Sequence, residues 1–255
     1  MDIKELDKLK TTILRNDRAF DALRTIKIET NYIKNADGSV LIEFGNTKIV
    51  CVASIEEKIP RWLQESPERK GWITAEYSMT PYAGGDRKQR EATSGKVCGR
   101  THEIQRLIGR SLRAAVDLEK LGERTIWIDC DVLQADGGTR TASITGGYIA
   151  LCLALQKLIK NKKLKKSPLI NQISAISVGI YNNEFLLDLN YNEDVAVDVD
   201  FNVVMTEKKQ FVEIQGTAEN GSYSREQLNE MLKLAEKGCL ELQEIQKNII
   251  SKLEE

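Results

Sequence analysis

The chain has 255 residues, of which 41% are hydrophobic and 29% are charged, so it is long enough and apolar enough to bury a large core. Its 37 basic and 38 acidic side chains leave a net charge of −1, which excludes a uniformly basic polyanion-binding protein. The five widely spaced cysteines are typical of buried thiols in a reducing compartment. With a charged amino terminus and no apolar run long enough to span a membrane, the chain is predicted to be cytoplasmic.

The single histidine, His102, limits the chemistry that an enzyme with this sequence can perform. A Ser-His-Asp or Cys-His hydrolase would depend on that one residue, and a metal site with several histidines is impossible. Its position near a predicted helix start favours a surface or capping role. Any catalysis is therefore expected to use carboxylates, hydroxyl groups and arginines.

The first part of the chain combines a short helical pattern with strand patterns. Residues 1–14 carry apolar side chains at helical spacing and are predicted to form a short N-terminal extension. Two β-branched runs, at 40–44 and 47–54, are separated by Gly45-Asn46 and predict a hairpin. Beyond them, the pattern predicts an exposed loop at 60–71, a strand at 72–78 and a glycine- and arginine-rich loop at 81–99.

The remaining elements mix helices and strands without a break in composition. A strand is predicted at 124–133, a largely buried helix at about 139–159, and a solvated lysine-rich turn at 160–166. The last helix begins with a capping box formed by Ser224 and Gln227. Further strands are predicted near 173–181, 185–191, 195–206 and 211–216. A single α+β domain over residues 15–255, with a mostly antiparallel sheet, fits this order best.

The segment from Asp136 to Thr141 has the composition of an anion-binding turn. Its paired glycines permit a tight turn that exposes backbone N–H groups, and the following helix start adds unpaired N–H donors and a positive dipole end. Thr139, Thr141 and Arg140 add side-chain donors that suit an oxyanion. The segment is neither a Walker A nor a dinucleotide loop, and a plain strand-to-helix turn with a threonine cap explains it as well.

A local excess of positive charge lies between residues 86 and 113. Eight basic residues face only three acidic ones there, so this segment could contact a phosphate chain. For the arginines of the predicted helix, a solvated face with internal Arg–Glu pairs is an equally good interpretation. The eight residues are Arg87, Lys88, Arg90, Lys96, Arg100, Arg106, Arg110 and Arg113.

A third candidate is the acidic run at 186–202. Its apolar and polar residues alternate, which predicts two strands with Asp188, Asp198 and Asp200 on an open face. Crowded oxygen ligands there could hold Mg²⁺ or Mn²⁺. The solvated side of an edge hairpin is the simpler alternative on composition alone.

Taken together, several segments resemble the ribonuclease PH family of phosphate-dependent 3′→5′ exoribonucleases. The likeness extends from about residue 15 to the carboxyl terminus, and its motifs occur in the family's order. Tyr82 departs from the pattern, because the family carries a loop arginine at that position. The strings that carry the resemblance are GWITAEYSM at 71–79, GRT at 99–101, EIQRLIGR at 103–110, DCDVLQADGGTRT at 129–141, LDLNY at 187–191 and QGTAE at 215–219.

The resemblance implies a role for each candidate patch. Asp188 and Asp194 match an acidic pair that would hold the divalent Mg²⁺ or Mn²⁺ ion and assist the leaving 3′ oxygen. Arg87 and Arg90 match loop arginines that approach RNA or a neighbouring subunit. The attacking inorganic phosphate would be bound by Arg100, Gly138, Thr139 and Arg140.

The resemblance also implies the fold, the reaction and the assembly. The fold would have two βαβα-type halves, as in domain two of ribosomal protein S5. The reaction would move a terminal nucleotide from RNA onto phosphate, release a nucleoside diphosphate and trim the 3′ ends of tRNA precursors. The assembly would be a homo-oligomer, a hexameric trimer of dimers.

Two alternatives to this function remain at the level of sequence. The first is a non-catalytic RNA-binding ring subunit, as occurs among exosome-type relatives of the fold. The second is a phosphate-dependent enzyme that acts on a small molecule. Release of nucleoside diphosphates from RNA would exclude the first, and competition by an RNA 3′ end would exclude the second.

Overall fold

The computed structural model describes residues 15, 17–219 and 221–252, so the helix predicted within residues 1–14 lies outside the described part of the chain. The first half forms a five-stranded sheet. Its elements are β1 (Ile26–Thr30), β2 (Gly38–Phe44), β3 (Thr47–Glu56), α1 (Arg61–Gln64), β4 (Trp72–Met79), α2 (Glu91–Ser94), α3 (Gly99–Arg113), α4 (Leu118–Leu121) and β5 (Thr125–Gln134). The strand order is β1-β2-β3-β5-β4, and all neighbours are antiparallel except β4 and β5, which are parallel.

The second half forms a four-stranded antiparallel sheet. The elements are α5 (Thr139–Lys160), β6 (Ile173–Tyr181), β7 (Glu184–Leu187), α6 (Tyr191–Ala196), β8 (Val199–Thr206), β9 (Phe211–Ala218) and α7 (Arg225–Ser251). The strand order is β7-β6-β8-β9. Two sheets combined with helices confirm the predicted α+β class.

Helix α5 is the element that joins the two sheets. It packs on β2 and β3 of the first sheet and on β6 of the second. Its most apolar 18-residue window has a mean hydropathy of 1.4, which would suffice to cross a membrane, but 83% of that window is buried inside the fold. A Cβ atom at Gly146 would lie 2.8 Å from the Ile42 side chain, so glycine permits the close approach of helix and sheet. Helix α5 is therefore the central core helix.

The predicted elements and the observed ones differ in the acidic run at 186–202. The sequence pattern predicted two strands, but helix α6 interrupts them. A capping box starts this helix: the Asn190 side chain accepts a hydrogen bond from the Glu193 backbone N–H, and the Glu193 carboxylate accepts one from Asn190 N–H. The predicted loops at 60–71 and 81–99 each contain a single helical turn, while the capping box at Ser224 is confirmed.

Candidate active site

The turn between β5 and α5 is fixed by backbone contacts on two sides. Gly137 and Gly138 have φ angles of +75° and +66°, a region that favours glycine. A Cβ atom on Gly137 would lie 2.5 Å from the Leu189 carbonyl oxygen, so the turn packs directly against the start of α6. On the other side, the Thr47 hydroxyl donates to the Gly137 carbonyl at 2.7 Å and accepts from Asp136 N–H at 2.9 Å. The turn therefore has a defined shape.

The N-terminus of α5 faces the space above this turn. Its N-cap residue, Gly138, has no side chain to bond the first backbone N–H groups. The Thr141 hydroxyl donates to the Gly138 carbonyl at 2.9 Å, and the Thr139 hydroxyl shares a hydrogen bond of 2.9 Å with Tyr77. The first-turn N–H groups and the positive end of the helix dipole are thus available to an anion.

A cavity of about 380 Å³ opens over this helix end. Two carboxylates and one side-chain amide from the second half of the chain lie in its wall: Asp194, Asp200 and Asn202. The wall also contains all four residues that the family resemblance assigned to phosphate: Arg100, Gly138, Thr139 and Arg140. The cavity therefore combines an anion-binding wall with a pair of carboxylates.

The two carboxylates of the cavity carry charge that the protein does not balance. Burial raises the pKa of Asp194, and the neighbouring Asp200 raises it further, although Arg140 and Arg100 act in the opposite direction. Burial also raises the pKa of Asp200, and Glu219 adds to this effect. Within the described ranges, neither carboxylate forms an ion pair shorter than 4.0 Å. Asp194 and Asp200 thus favour a cation or a proton at this wall.

Asp188 does not reach the cavity, contrary to the expectation from the family resemblance. It is fully buried, and both of its carboxylate oxygens accept hydrogen bonds from Arg24: Oδ1 from Nη2 at 2.7 Å, and Oδ2 from the backbone N at 2.8 Å and from Nε at 3.1 Å. Arg24 also donates to the carbonyl oxygens of Asp136 and Gly137. The Asp188–Arg24 pair therefore supports the turn between β5 and α5 on the side away from the cavity, whereas Asp194 and Asp200 line the cavity.

A second buried ion-pair group supports helix α6, which carries Asp194. The Glu193 carboxylate is almost completely buried and accepts hydrogen bonds from Arg15 Nε and Nη2, each at 2.7 Å, and from Arg18 Nη2 at 2.9 Å. Sequence reasoning missed this group. The signal that could have found it is the Asn190-x-x-Glu193 spacing, because that spacing is typical of a capped helix start.

The two arginines of the cavity are held differently. Arg140 Nη1 donates to Gln215 Oε1 at 2.8 Å and lies 3.5 Å from a Glu103 carboxylate oxygen, so its guanidinium is oriented by the protein. Arg100 lies in the first turn of α3, its side chain is exposed, and it forms no ion pair with any other described residue. One cation is fixed, and the other is free to meet an incoming anion.

The basic loop between β4 and α3 borders the cavity unevenly. Lys88 lines both the main cavity and an adjoining one of about 310 Å³, whereas Arg90 lines only the adjoining one. Arg87 is exposed and lines neither of these two cavities. Farther along α3, Arg110 pairs with Glu213 at 3.1 Å and the Arg113 guanidinium lies 4.5 Å from the Trp72 ring centre. Arg110 and Arg113 thus have partners within the protein, which agrees with the structural alternative given for the helix arginines.

Comparisons with known proteins agree with this geometry. Residues 22–156 match domain 1 of the 3′ exoribonuclease family, and residues 171–238 match domain 2. The chain is 60% identical to ribonuclease PH of Bacillus pumilus, over 92% of this chain and 96% of that protein. It is 58% identical to ribonuclease PH of Bacillus cereus, over 89% of this chain and 93% of that protein.

Solved structures share the fold at low sequence identity. A chain of the Archaeoglobus fulgidus exosome with RNA bound to the active site superposes with a TM-score of 0.76 and 22% identity, covering 94% of this chain and 98% of that one. A chain of an archaeal exosome core gives a TM-score of 0.72 and 21% identity, over 96% and 98% of the two chains. The chain therefore belongs to the 3′ exoribonuclease family and, as its motifs predicted, is a phosphate-dependent 3′→5′ exoribonuclease.

Proposed function

We propose that this chain trims the 3′ ends of tRNA precursors by transferring their terminal nucleotides to inorganic phosphate, with release of nucleoside diphosphates. The observation that carries the proposal is the cavity in which Arg100 and the N-terminus of α5 share one space with Asp194 and Asp200. The Bacillus relatives at 58–60% identity, which are named ribonuclease PH, support the same reaction.

Phosphate binding in this proposal uses the cationic wall. Phosphate is already an oxyanion nucleophile, so no histidine base is required, which agrees with the single histidine of the chain. The difficulty of the reaction is electrostatic, because two anions must approach within bonding distance. The fixed Arg140, the free Arg100 and the N–H groups at the start of α5 lower this barrier by preorganised charge and hydrogen bonding.

The carboxylates of the opposite wall suit a divalent cation. Mg²⁺ is usually bound through one or two carboxylates, with water molecules and substrate phosphates completing its octahedron. Asp194 and Asp200 supply two unbalanced carboxylates, and Asn202 adds an amide oxygen in the same wall. Within the part of the chain that the structure describes, no group of three or more acidic, histidine or cysteine ligands occurs, so RNA and water would complete the set. A cation bound there would neutralise charge on the leaving 3′ oxygen.

The basic loop is proposed to contact the RNA chain just upstream of the cavity. Lys88 and Arg90 line the adjoining cavity, which shares Met79, Gly84 and Arg100 with the main one. Arg87 is exposed on the same loop and adds a phosphate contact outside the cavities. Such contacts position an RNA backbone without reading its sequence.

Assembly into a homo-oligomer, a hexameric ring of three dimers, is a further part of the proposal. Strand β9 is an edge strand of the described second sheet, and it exposes Phe211 and Ile214. Exposed edges with apolar side chains are surfaces on which a second copy can pair. Light scattering of the purified protein tests the proposal: a hexamer mass is expected, and a monomer at micromolar concentration would contradict it.

The reaction is tested by the identity of the mononucleotide product. A 3′-extended tRNA precursor is incubated with the protein and Mg²⁺, with and without inorganic phosphate. Nucleoside diphosphates that form only when phosphate is present are the expected result. Nucleoside monophosphates that form in both reactions would mean hydrolysis and would contradict the proposal. Asp194→Asn serves as the control for a contaminating nuclease.

A further inference from the structure

A lysine-rich surface lies at the end of α5 opposite the active site. Between Asp136 and Glu184 the sequence has seven basic residues and no acidic one. Six of the seven are lysines in the ten residues 157–166, and all six side chains are exposed. We call these six residues the lysine patch: Lys157, Lys160, Lys162, Lys163, Lys165 and Lys166.

Internal ion pairs account for only part of the lysine patch. Lys157 pairs with Asp37 at 2.8 Å, and Lys163 pairs with Glu57 at 2.6 Å. Glu57 is shared with Arg124, which lies 2.8 Å away, so that single carboxylate serves two cations. The other four lysines form no ion pair within the described part of the chain. Their concentrated charge repels itself and favours an anionic partner.

The end of a helix explains the position of Lys157 and Lys160 but not of the remaining lysines. Cations in the last turn of a helix interact favourably with its dipole, and this effect falls off within that turn. Lys165 and Lys166 lie beyond it. Lys162 has a φ of +59°, a conformation in which glycine is the preferred residue after a helix. Helix termination alone would therefore favour a different residue at position 162.

The backbone holds the lysine patch in a defined shape. The N–H groups of Lys163 and Leu164 both donate to the Leu158 carbonyl oxygen, at 2.9 and 3.2 Å. Leu164 packs on the main core, and the Pro168 carbonyl accepts a hydrogen bond from Asp117 N–H at 2.8 Å. The lysines thus project from an anchored turn, and a partner that binds them does not first have to order the chain.

The lysine patch and the active site are separated by the length of α5. From Thr139 to Lys160 the helix rises about 32 Å at 1.5 Å per residue. A few nucleotides held in the cavity cannot reach that far, whereas the body of a structured RNA can. Lysine is a compact point charge suited to phosphate groups, and the patch offers no arginine fork or aromatic ring of its own to read bases.

We propose that the lysine patch is a second RNA-contact surface, which binds the phosphate backbone of the substrate far from the 3′ end that enters the cavity. The inference rests on the proposed function only in that the ligand is a structured RNA substrate. It predicts that the enzyme distinguishes long structured RNAs from short ones through KM and not through the chemical step.

The test replaces the four unpaired lysines with glutamine in one variant: Lys160→Gln, Lys162→Gln, Lys165→Gln and Lys166→Gln. For a 3′-extended tRNA precursor, KM is expected to rise at least about tenfold at low salt. The slope of the logarithm of the RNA association constant against the logarithm of the salt concentration should become shallower. The expected change is about one unit for each lysine–phosphate contact that the substitutions remove. For a short unstructured oligoribonucleotide, kcat and KM should stay unchanged.

A control variant with the same change in charge removes four exposed lysines from other surfaces, of which Lys233 pairs with Glu230, and it should leave both substrates unaffected: Lys27→Gln, Lys233→Gln, Lys247→Gln and Lys252→Gln. The single variant Lys162→Gly is expected to fold at least as stably as the parent. Its slope of log association constant against log salt concentration for the long RNA should become shallower by about one unit. Unchanged KM for the long RNA, or an equal rise for both RNAs, would overturn the proposal.

The results differ according to which proposal is wrong, the RNA contact at the lysine patch or the proposed function. If the proposed function is wrong, the parent protein releases no nucleoside diphosphates from either RNA. If only the lysine patch is wrong, the parent protein is active on both RNAs and the four-lysine variant matches it. Direct binding of the fluorescently labelled precursor to Asp194→Asn, with and without the four substitutions, repeats the comparison without catalysis.

Discussion

Two aspartate regions lie on either side of the glycine turn between β5 and α5, one buried and one open to the cavity, and they are built in opposite ways. Behind the turn, Asp188 is fully paired with Arg24, which also bonds the turn's carbonyl oxygens. In front of it, Asp194 and Asp200 share the cavity wall without a close cationic partner among the described residues, and burial raises the pKa of both. A carboxylate whose charge the protein balances is part of the structure, whereas carboxylates left unbalanced are available to a ligand.

The largest effect on activity is expected at Asp194 and Asp200, which line the cavity. Asp194→Asn and Asp200→Asn should each lower kcat for phosphorolysis by about 100- to 1000-fold, because charge stabilisation in the transition state is removed. Since burial raises the pKa of both carboxyls, removing either charge should leave the free energy of unfolding unchanged or higher. Single-turnover assays and urea denaturation measure the two effects. A large drop in stability in either variant would remove the distinction between the two regions.

Behind the turn, the main effect is expected on stability. Asp188→Asn leaves the Arg24 guanidinium buried without a counter-charge, which should lower the free energy of unfolding by about 3–5 kcal/mol. The double variant Arg24→Met with Asp188→Asn should recover part of this stability, because it buries no unpaired charge and keeps a side chain that tolerates the φ of +56° at position 188. Urea denaturation compares the three proteins. An Asp188→Asn variant as stable as the parent would contradict the role given to this pair.

The turn that separates the two regions offers a third variant. Gly137→Ala places a Cβ atom 2.5 Å from the Leu189 carbonyl oxygen at a φ of +75°, so the turn must move away from α6. The strain should cost about 1–3 kcal/mol of stability, and the displaced helix N-terminus should raise the KM for phosphate. The expected result is a change in both quantities. A change in stability with an unaltered KM for phosphate would separate the turn from the anion site.

The smallest effect is expected at Gln215, which orients Arg140 through a hydrogen bond of 2.8 Å. Gln215→Ala removes this hydrogen bond without removing the cation. The KM for phosphate should rise about fivefold, equivalent to about 1 kcal/mol, while kcat at saturating phosphate stays close to that of the parent. Steady-state kinetics at varied phosphate concentration measures this. A fall in kcat alone would show that Gln215 acts outside phosphate binding.

The sequence was sufficient to predict much of the fold and the residues that line one wall of the cavity. Local patterns predicted helix α5, the capping box at Ser224 and the glycine turn before α5, because each depends on neighbouring residues. The placement of Asp188 differed from the prediction, and period-two alternation suggested strands where α6 forms. Which aspartate meets Arg24 depends on contacts 164 residues apart along the chain, and local spacing carries no information about them.

The most direct test of the two aspartate regions is Mn²⁺ binding, followed by the electron paramagnetic resonance signal of the free ion. Asp194→Asn and Asp200→Asn are each expected to weaken the affinity for Mn²⁺ at least about tenfold, because Mn²⁺ is held chiefly by carboxylate oxygens. Asp188→Asn, measured where it remains folded, should retain the affinity of the parent. Weakened binding in Asp188→Asn together with normal binding in Asp200→Asn would contradict the arrangement of the cavity described above.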